Sequence, residues 1–178
     1  MDSINQQQPE DNRDDLAGVK AIAKIRELVK EAQTCFFCTA IPTGETSSTR
    51  PMNVRDVDDE GNLWFLSAND SHKNAELAID PSVRLYMQGG PHAEFLVLSG
   101  HASVSTDNAK IEEFWSPVLR TWFTGGIDDP RITVIKVTPT DGYYWDNKHG
   151  TAVAGIKMLI GAAIRRTLDD SIEGTVTV

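Results

Sequence analysis

No stretch of this sequence approaches the roughly 18 consecutive apolar residues that a membrane-crossing helix needs. The N-terminus is polar and acidic and carries no signal-peptide pattern. The expectation is a cytoplasmic protein with no membrane partner. Positive charge is also in short supply: 17 Lys and Arg stand against 26 Asp and Glu, for a formal net charge of −9. Nonspecific nucleic-acid affinity comes mostly from neutralising phosphates with Lys and Arg, so a nucleic-acid partner is disfavoured. Cysteine is limited to Cys35 and Cys38. Their Cys-x-x-Cys spacing can mean a redox pair or half a zinc site, but here it lies in Thr-Cys-Phe-Phe-Cys-Thr, a strand pattern. Residues three apart on a strand point to opposite faces, and no second cysteine pair exists, so both read as structural thiols. His72, His92, His101 and His149 lie far apart without ligand spacing, and no metal is expected. Gly-x-Gly-x-x-Gly, Gly-x-x-x-x-Gly-Lys and Gly-x-Ser-x-Gly are all missing, which leaves dinucleotide folds, P-loops and esterase elbows without support.

What is present fits one domain over residues 15–178 behind a disordered acidic tail over 1–14. Asp14 or Asp15 is placed to cap a helix running to about Gln33, with Leu16, Val19, Ile22, Ile25 and Val29 as its core stripe. Strands are expected over 34–41, 83–88, 94–105, 131–137 and 143–146, with a turn over 138–142. Helical spacing marks 107–122, interrupted at Ser116-Pro117, where a second helix could start. Its stripe of Ile111, Phe114, Trp115, Val118, Leu119 and Trp122 suggests core. A docked helix is expected over 151–168. Several strands closing on themselves with few helices suggest a barrel, so the class is mainly β with flanking helices, α+β.

The stretch 50–73 carries the chemistry. Arg50-Pro-Met-Asn-Val is a strand, Asp58-Asp-Glu-Gly a turn, and Leu63-Trp-Phe-Leu-Ser a second strand expected to pair with the first. Asp70 or Ser71 then caps a short helix whose N-terminus aims unpaired N–H groups outward. Lys73 in its first turn opposes the helix dipole unless an anion sits there. If the hairpin pairs as written, the Arg50 guanidinium meets the same anion while Ser67 and Ser71 donate hydroxyl protons. That describes a phosphate pocket. The same residues also read as solvated charges at element ends, and spacing alone leaves both readings open.

Arg50-Pro51-Met52, an aromatic strand ending in Ser67, and Ser71-x-Lys73-x-x-x-Leu77 followed by Asp80-Pro81 resemble the flavin-binding split β-barrels related to pyridoxamine 5′-phosphate oxidase. Within them the chain is most similar to the bacterial general stress protein branch. The resemblance implies a six-stranded split β-barrel and a homodimer with flavin mononucleotide (FMN) at the subunit interface; flavin adenine dinucleotide (FAD) is a second candidate. It implies that Arg50, Ser67, Ser71 and Lys73 hold the phosphate with help from His72. The backbones of Met52, Asn53 and Val54, and of Phe65, Leu66 and Ser67, would line the ring. Trp115, Trp122 and Phe123 would sit near the flavin, across the dimer.

Three functions follow. The first is an FMN-binding protein of the general stress type in which the cofactor carries the redox chemistry. The second is an oxidoreductase acting on a small molecule such as pyridoxamine phosphate. Arg55 stands where those enzymes carry a substrate-phosphate lysine, a tolerable change; against this function, their Tyr, Arg and Ser set has no counterpart among residues 113–120, which offer only Arg120, and the C-terminal Arg-Leu-His-Asp-Arg motif is missing. The third is a flavin store or sensor without turnover. No catalytic residue is assigned.

Overall fold

The structure, a computed structural model, describes residues 12–41, 48–90, 94–148 and 170–178. Residues 1–11 of the tail expected over 1–14, and the helix expected over 151–168, lie outside the described residues.

The chain runs β1 (Leu16–Ala17), α1 (Val19–Ala32), β2 (Thr34–Thr39), β3 (Thr49–Asn53), β4 (Asp56–Val57), β5 (Leu63–Ala68) and α2 (His72–Ile79). It continues through β6 (Ser82–Gln88), β7 (Phe95–Ser105), α3 (Asn108–Phe114), two 3-10 turns (Pro117–Thr121 and Gly126–Asp128), β8 (Ile132–Asn147) and β9 (Ser171–Thr177). Among the described residues, the nine strands belong to one sheet ordered β1-β9-β8-β7-β6-β2-β3, from which β5 branches off β8 and β4 off β5. The fork lies in β8. Its first half, Ile132 to Val137, pairs with β5, and its second half, Asp141 to Asn147, pairs with β9, while β7 runs antiparallel along its other edge. A sheet that forks in this way is a split barrel. The six barrel strands are β2, β3, β5, β6, β7 and β8; β1 and β9 pair the two chain ends in parallel.

Alternation explains the core. Phe37 of β2, Phe65 of β5, Leu85 of β6, Leu96 of β7 and Ile135 of β8 are all fully buried, and α1 adds Ala21, Ile25, Leu28 and Val29. Phe37 and Phe65 meet edge to face with ring centroids 5.4 Å apart. Burying each such side chain contributes about 1.5–3 kcal/mol. On the other face of β5 and β8, a second cluster of Ile111, Phe114, Phe123, Ile132 and Val134 packs with the half-buried Trp64, Leu66 and Trp115.

Several expectations are corrected. The hairpin does not pair β3 with β5: β3 pairs with β2, and the Asp58 turn joins the two-residue β4 to β5. Helix α1 starts at Val19 with Gly18 as N-cap, not at Asp14 or Asp15. Asp15 instead accepts from the backbone N–H of Thr175 at 2.8 Å, and Asp14 N–H donates to Glu173 at 2.9 Å. Long-range pairing with β9 thus overrides the local capping signal, and Val19 is left 84% exposed. Residues 138–142 are no turn; β8 passes straight through them, with Thr140 bulged out between the pairs Ser99↔Asp141 and Gly100↔Pro139. A bulge accommodates the proline that lacks an N–H. The segment after Pro117 is a 3-10 turn, Ser116 makes no side-chain cap, and Val118 and Trp122 are 63% and 62% exposed rather than core.

Candidate functional site

The site is built where β5 turns into α2. Ser67 lies on the buried face of β5, and the chain reverses so that Ser71 N–H donates to Ala68 O at 3.1 Å. Ser71 is the N-cap of α2, its hydroxyl accepting from Asn74 N–H at 3.3 Å. The first turn of this helix holds no acid, so its N-terminal partial charge is not locally neutralised. Lys73 points inward and is only 6% exposed. Its ammonium donates to Ser67 Oγ at 2.6 Å, Ser67 Oγ donates to Asn74 Oδ1 at 2.8 Å, and Ser71 Oγ lies 3.3 Å from Ser67 Oγ. Asn74 Nδ2 in turn donates to Thr133 Oγ1 at 2.9 Å, which ties the cluster to β8.

Arg50 arrives from β3. It reaches α2 through Glu76, which is fully buried: Nη1 donates to Oε2 at 2.6 Å and Nη2 to Oε1 at 3.1 Å. Thr39 of β2 donates its hydroxyl to the same Oε2 at 2.5 Å. Lys73 and Glu76 share one face of α2, three residues apart. Burial first, and the Arg50 charge second, pull the Lys73 pKa from 10.5 down to about 8, with Glu76 acting in the opposite direction. Among the described residues, Arg50 and Lys73 are thus two cations held in one network around the carboxylate of Glu76, where solvent screens charge poorly. An ammonium, a guanidinium, two hydroxyls and a helix N-terminus form a donor set that fits a phosphate group.

Arg50, Ser67, Ser71 and Lys73 are thus brought together, although by a strand pairing other than the expected one. His72 is exposed at the first position of α2. Met52 and Val54 are half-buried against the main core, and Val54 N–H is engaged by Gln33 O at 2.9 Å; Asn53 is exposed. Leu66 and Trp115 are half-buried at the second cluster, Phe123 is 5% exposed within it, and Trp122 lies outside it. Sequence reasoning missed Glu76, Thr39, Asn74 and Thr133. The spacing of Lys73 and Glu76 on one helix face was the available signal.

Cys35 is buried, and burial, followed by Cys38, pushes its thiol up to about 12, far from a reactive thiolate. Cys38 lies on the opposite face, where Thr49 Oγ1 donates to its sulfur at 3.2 Å. Among the described residues, no three His, Cys, Asp or Glu side chains converge as a metal site, and no helix is long and apolar enough to cross a membrane.

Known proteins share this architecture. A general stress protein 26 of Jannaschia sp. CCS1 superposes with a TM-score of 0.73 at 24% identity, covering 90% of this chain and 100% of that one. The general stress protein 26 of Bacillus anthracis str. Sterne gives 0.59 at 22% identity over 69% of this chain and 92% of that one. The general stress FMN/FAD binding protein of Xanthomonas citri gives 0.57 at 23% identity over 68% and 84%. At such identities these likenesses concern the fold. Protein bli-3 of Neurospora crassa is 28% identical over 90 residues, 46% of this chain, and the match spans only 43% of that relative's length. The profile of the family described as pyridoxamine 5′-phosphate oxidase like matches residues 20–169, leaving β1 and β9 outside it. With most of its 178 residues matched, the chain belongs to the pyridoxamine 5′-phosphate oxidase like family.

Proposed function

We propose that this protein binds FMN at the β5–α2 corner, with Lys73, Arg50, Ser67 and Ser71 holding the phosphate and His72 at its rim. The observation that carries the reading is the buried Lys73, held on Ser67 close to the Ser71 hydroxyl and under the influence of the Arg50 charge. The phosphomonoester of FMN is a dianion at neutral pH and matches two cations more fully than either phosphate of FAD, each of which carries a single charge; FAD is the weaker ligand. Met52, Asn53, Val54 and Leu66 lie on the elements flanking the corner and line the ring. The bound flavin would supply redox chemistry, while the chain's own residues bind and orient it.

The protein works as a cytoplasmic homodimer. On the outer face of the sheet, Phe36 and Tyr86 are cross-strand neighbours and are 58% and 42% exposed, with Pro51 beside them on β3. Trp122 and Val118 are apolar and exposed as well. A second copy covers these groups, and Trp115, Trp122 or Phe123 of the partner closes the flavin site.

Turnover of pyridoxamine phosphate is not part of this reading. Arg55, the cation nearest in sequence to a substrate-phosphate role, donates Nη2 to the Phe114 carbonyl at 2.7 Å and so anchors α3. A role of the general stress type, as a redox or flavin-holding protein, remains. Releasing the ligand from purified protein and identifying it by mass tests the proposal, with light scattering giving the subunit count. Recovery of FMN from a dimer is expected. Absence of any flavin, with no uptake of added FMN, would overturn it.

A further inference from the structure

We propose that Glu76 is a positioning residue for the phosphate site, holding Arg50 in place and fixing the charge against which an anion binds. The inference rests on the flavin-phosphate reading above and asks why an acid stands in an anion site at all. A surface carboxylate there would simply repel a phosphate. Glu76 has no solvent exposure; it accepts both Nη atoms of Arg50 and the Thr39 hydroxyl. Arg50 is 20% exposed at its side chain, so it spans from this interior anchor to the surface. Swinging Arg50 away would strip its guanidinium from a buried carboxylate and leave that charge uncompensated in the interior. The guanidinium is therefore fixed before any ligand arrives, which lowers the ordering cost of binding.

The second effect is on Lys73. Among the described residues, the charged groups acting on it are Arg50 from β3 and Glu76 from its own helix; Ser67 of β5, Ser71 and Asn74 at the start of α2, and Thr133 of β8 are uncharged. Arg50 lowers the pKa of Lys73 and Glu76 raises it. Without the carboxylate, Lys73 would lose its proton closer to neutrality and the site would lose a cation. Both effects of Glu76 strengthen phosphate binding near neutral pH.

The test uses flavin-free full-length protein, with FMN and phosphate-free riboflavin titrated across neutral to alkaline pH, on the parent, Glu76→Gln and Thr39→Val. Glu76→Gln should bind FMN about tenfold more weakly near neutral pH while riboflavin affinity barely moves. The alkaline fall in FMN affinity should shift to lower pH. Thr39→Val keeps the charge and loses one support, so a smaller selective loss of FMN affinity without a pH shift is expected. Equal weakening of both flavins with an unmoved pH profile would reduce Glu76 to a structural strut. Tighter FMN binding would make it a competitor of the phosphate. Should Glu76→Gln not fold, unchanged FMN affinity in Thr39→Val overturns the inference. A parent that binds both flavins equally would instead overturn the phosphate reading itself.

Discussion

Replacing Lys73 with methionine should make the flavin-free protein more stable and the flavin complex weaker. The ammonium is buried, and the fall in its pKa from 10.5 to about 8 corresponds to about 3 kcal/mol by which folding disfavours the charged form. Because the folded pKa lies below the unfolded one, the unfolded chain binds more protons between these two values, and stability rises with pH across that window. The cost is fully present below pH 8, and it vanishes as pH approaches 10.5. Lys73→Met removes the charge and fills the space with an unbranched apolar chain. It also removes the hydrogen bond to Ser67, worth about 1 kcal/mol, so a net gain of about 2 kcal/mol is expected near neutral pH. Urea unfolding of flavin-free parent and variant, followed by circular dichroism, measures it. The gain should shrink in alkaline buffer and give way to a loss of about 1 kcal/mol, that of the hydrogen bond alone, as pH approaches 10.5. FMN affinity should fall by about 1.5–3 kcal/mol at neutral pH. A variant less stable than the parent near neutral pH would show that the Lys73 charge is already compensated, and the argument for an anion would lose its basis.

Arg50→Ala should cost both binding and about 3 kcal/mol of stability, because Glu76 is left fully buried without its guanidinium; a thermal melt of flavin-free protein showing no loss would contradict the buried pair. Gly174→Ala should release the N-terminal segment from β9, since a Cβ there collides with the Asp14 carbonyl. Faster hydrogen exchange at the Thr175 amide, which donates to Asp15, reports it, and unchanged protection would argue against the clasp. The double variant Cys35→Ser, Cys38→Ser should keep full FMN binding and lose roughly 1–2 kcal/mol of stability from the buried position; loss of a stoichiometric metal in elemental analysis would overturn the structural assignment of these thiols.

The strand pattern of Leu63, Phe65 and Ser67 was legible because alternation is a local property, and the Ser71 cap was legible because the hydroxyl meets a backbone N–H three residues on. Partner choice was not. Thr49 to Asn53 carries nothing that distinguishes β5 from β2 as its neighbour, and the Asp58 turn closes on Val57, four residues beyond Asn53. Glu76 looked like any polar residue of a short helix until β3 brought Arg50 against it from 26 positions away. The β1–β9 pairing joins residues about 160 apart in sequence, and no local window contains both. The paired strand β8 also looked broken at Pro139, since a proline normally ends pairing, and only the bulge opposite Gly100 explains its continuity.

The proposed seat of the flavin phosphate is the corner between β5 and α2. A crystal structure of the protein grown with FMN tests it most directly. Phosphate oxygens are expected within hydrogen-bond distance of Lys73 Nζ and the Ser71 hydroxyl, with Arg50 still held by Glu76 on its inner side. A phosphate bound elsewhere, with Lys73 remaining on Ser67 alone, would contradict it.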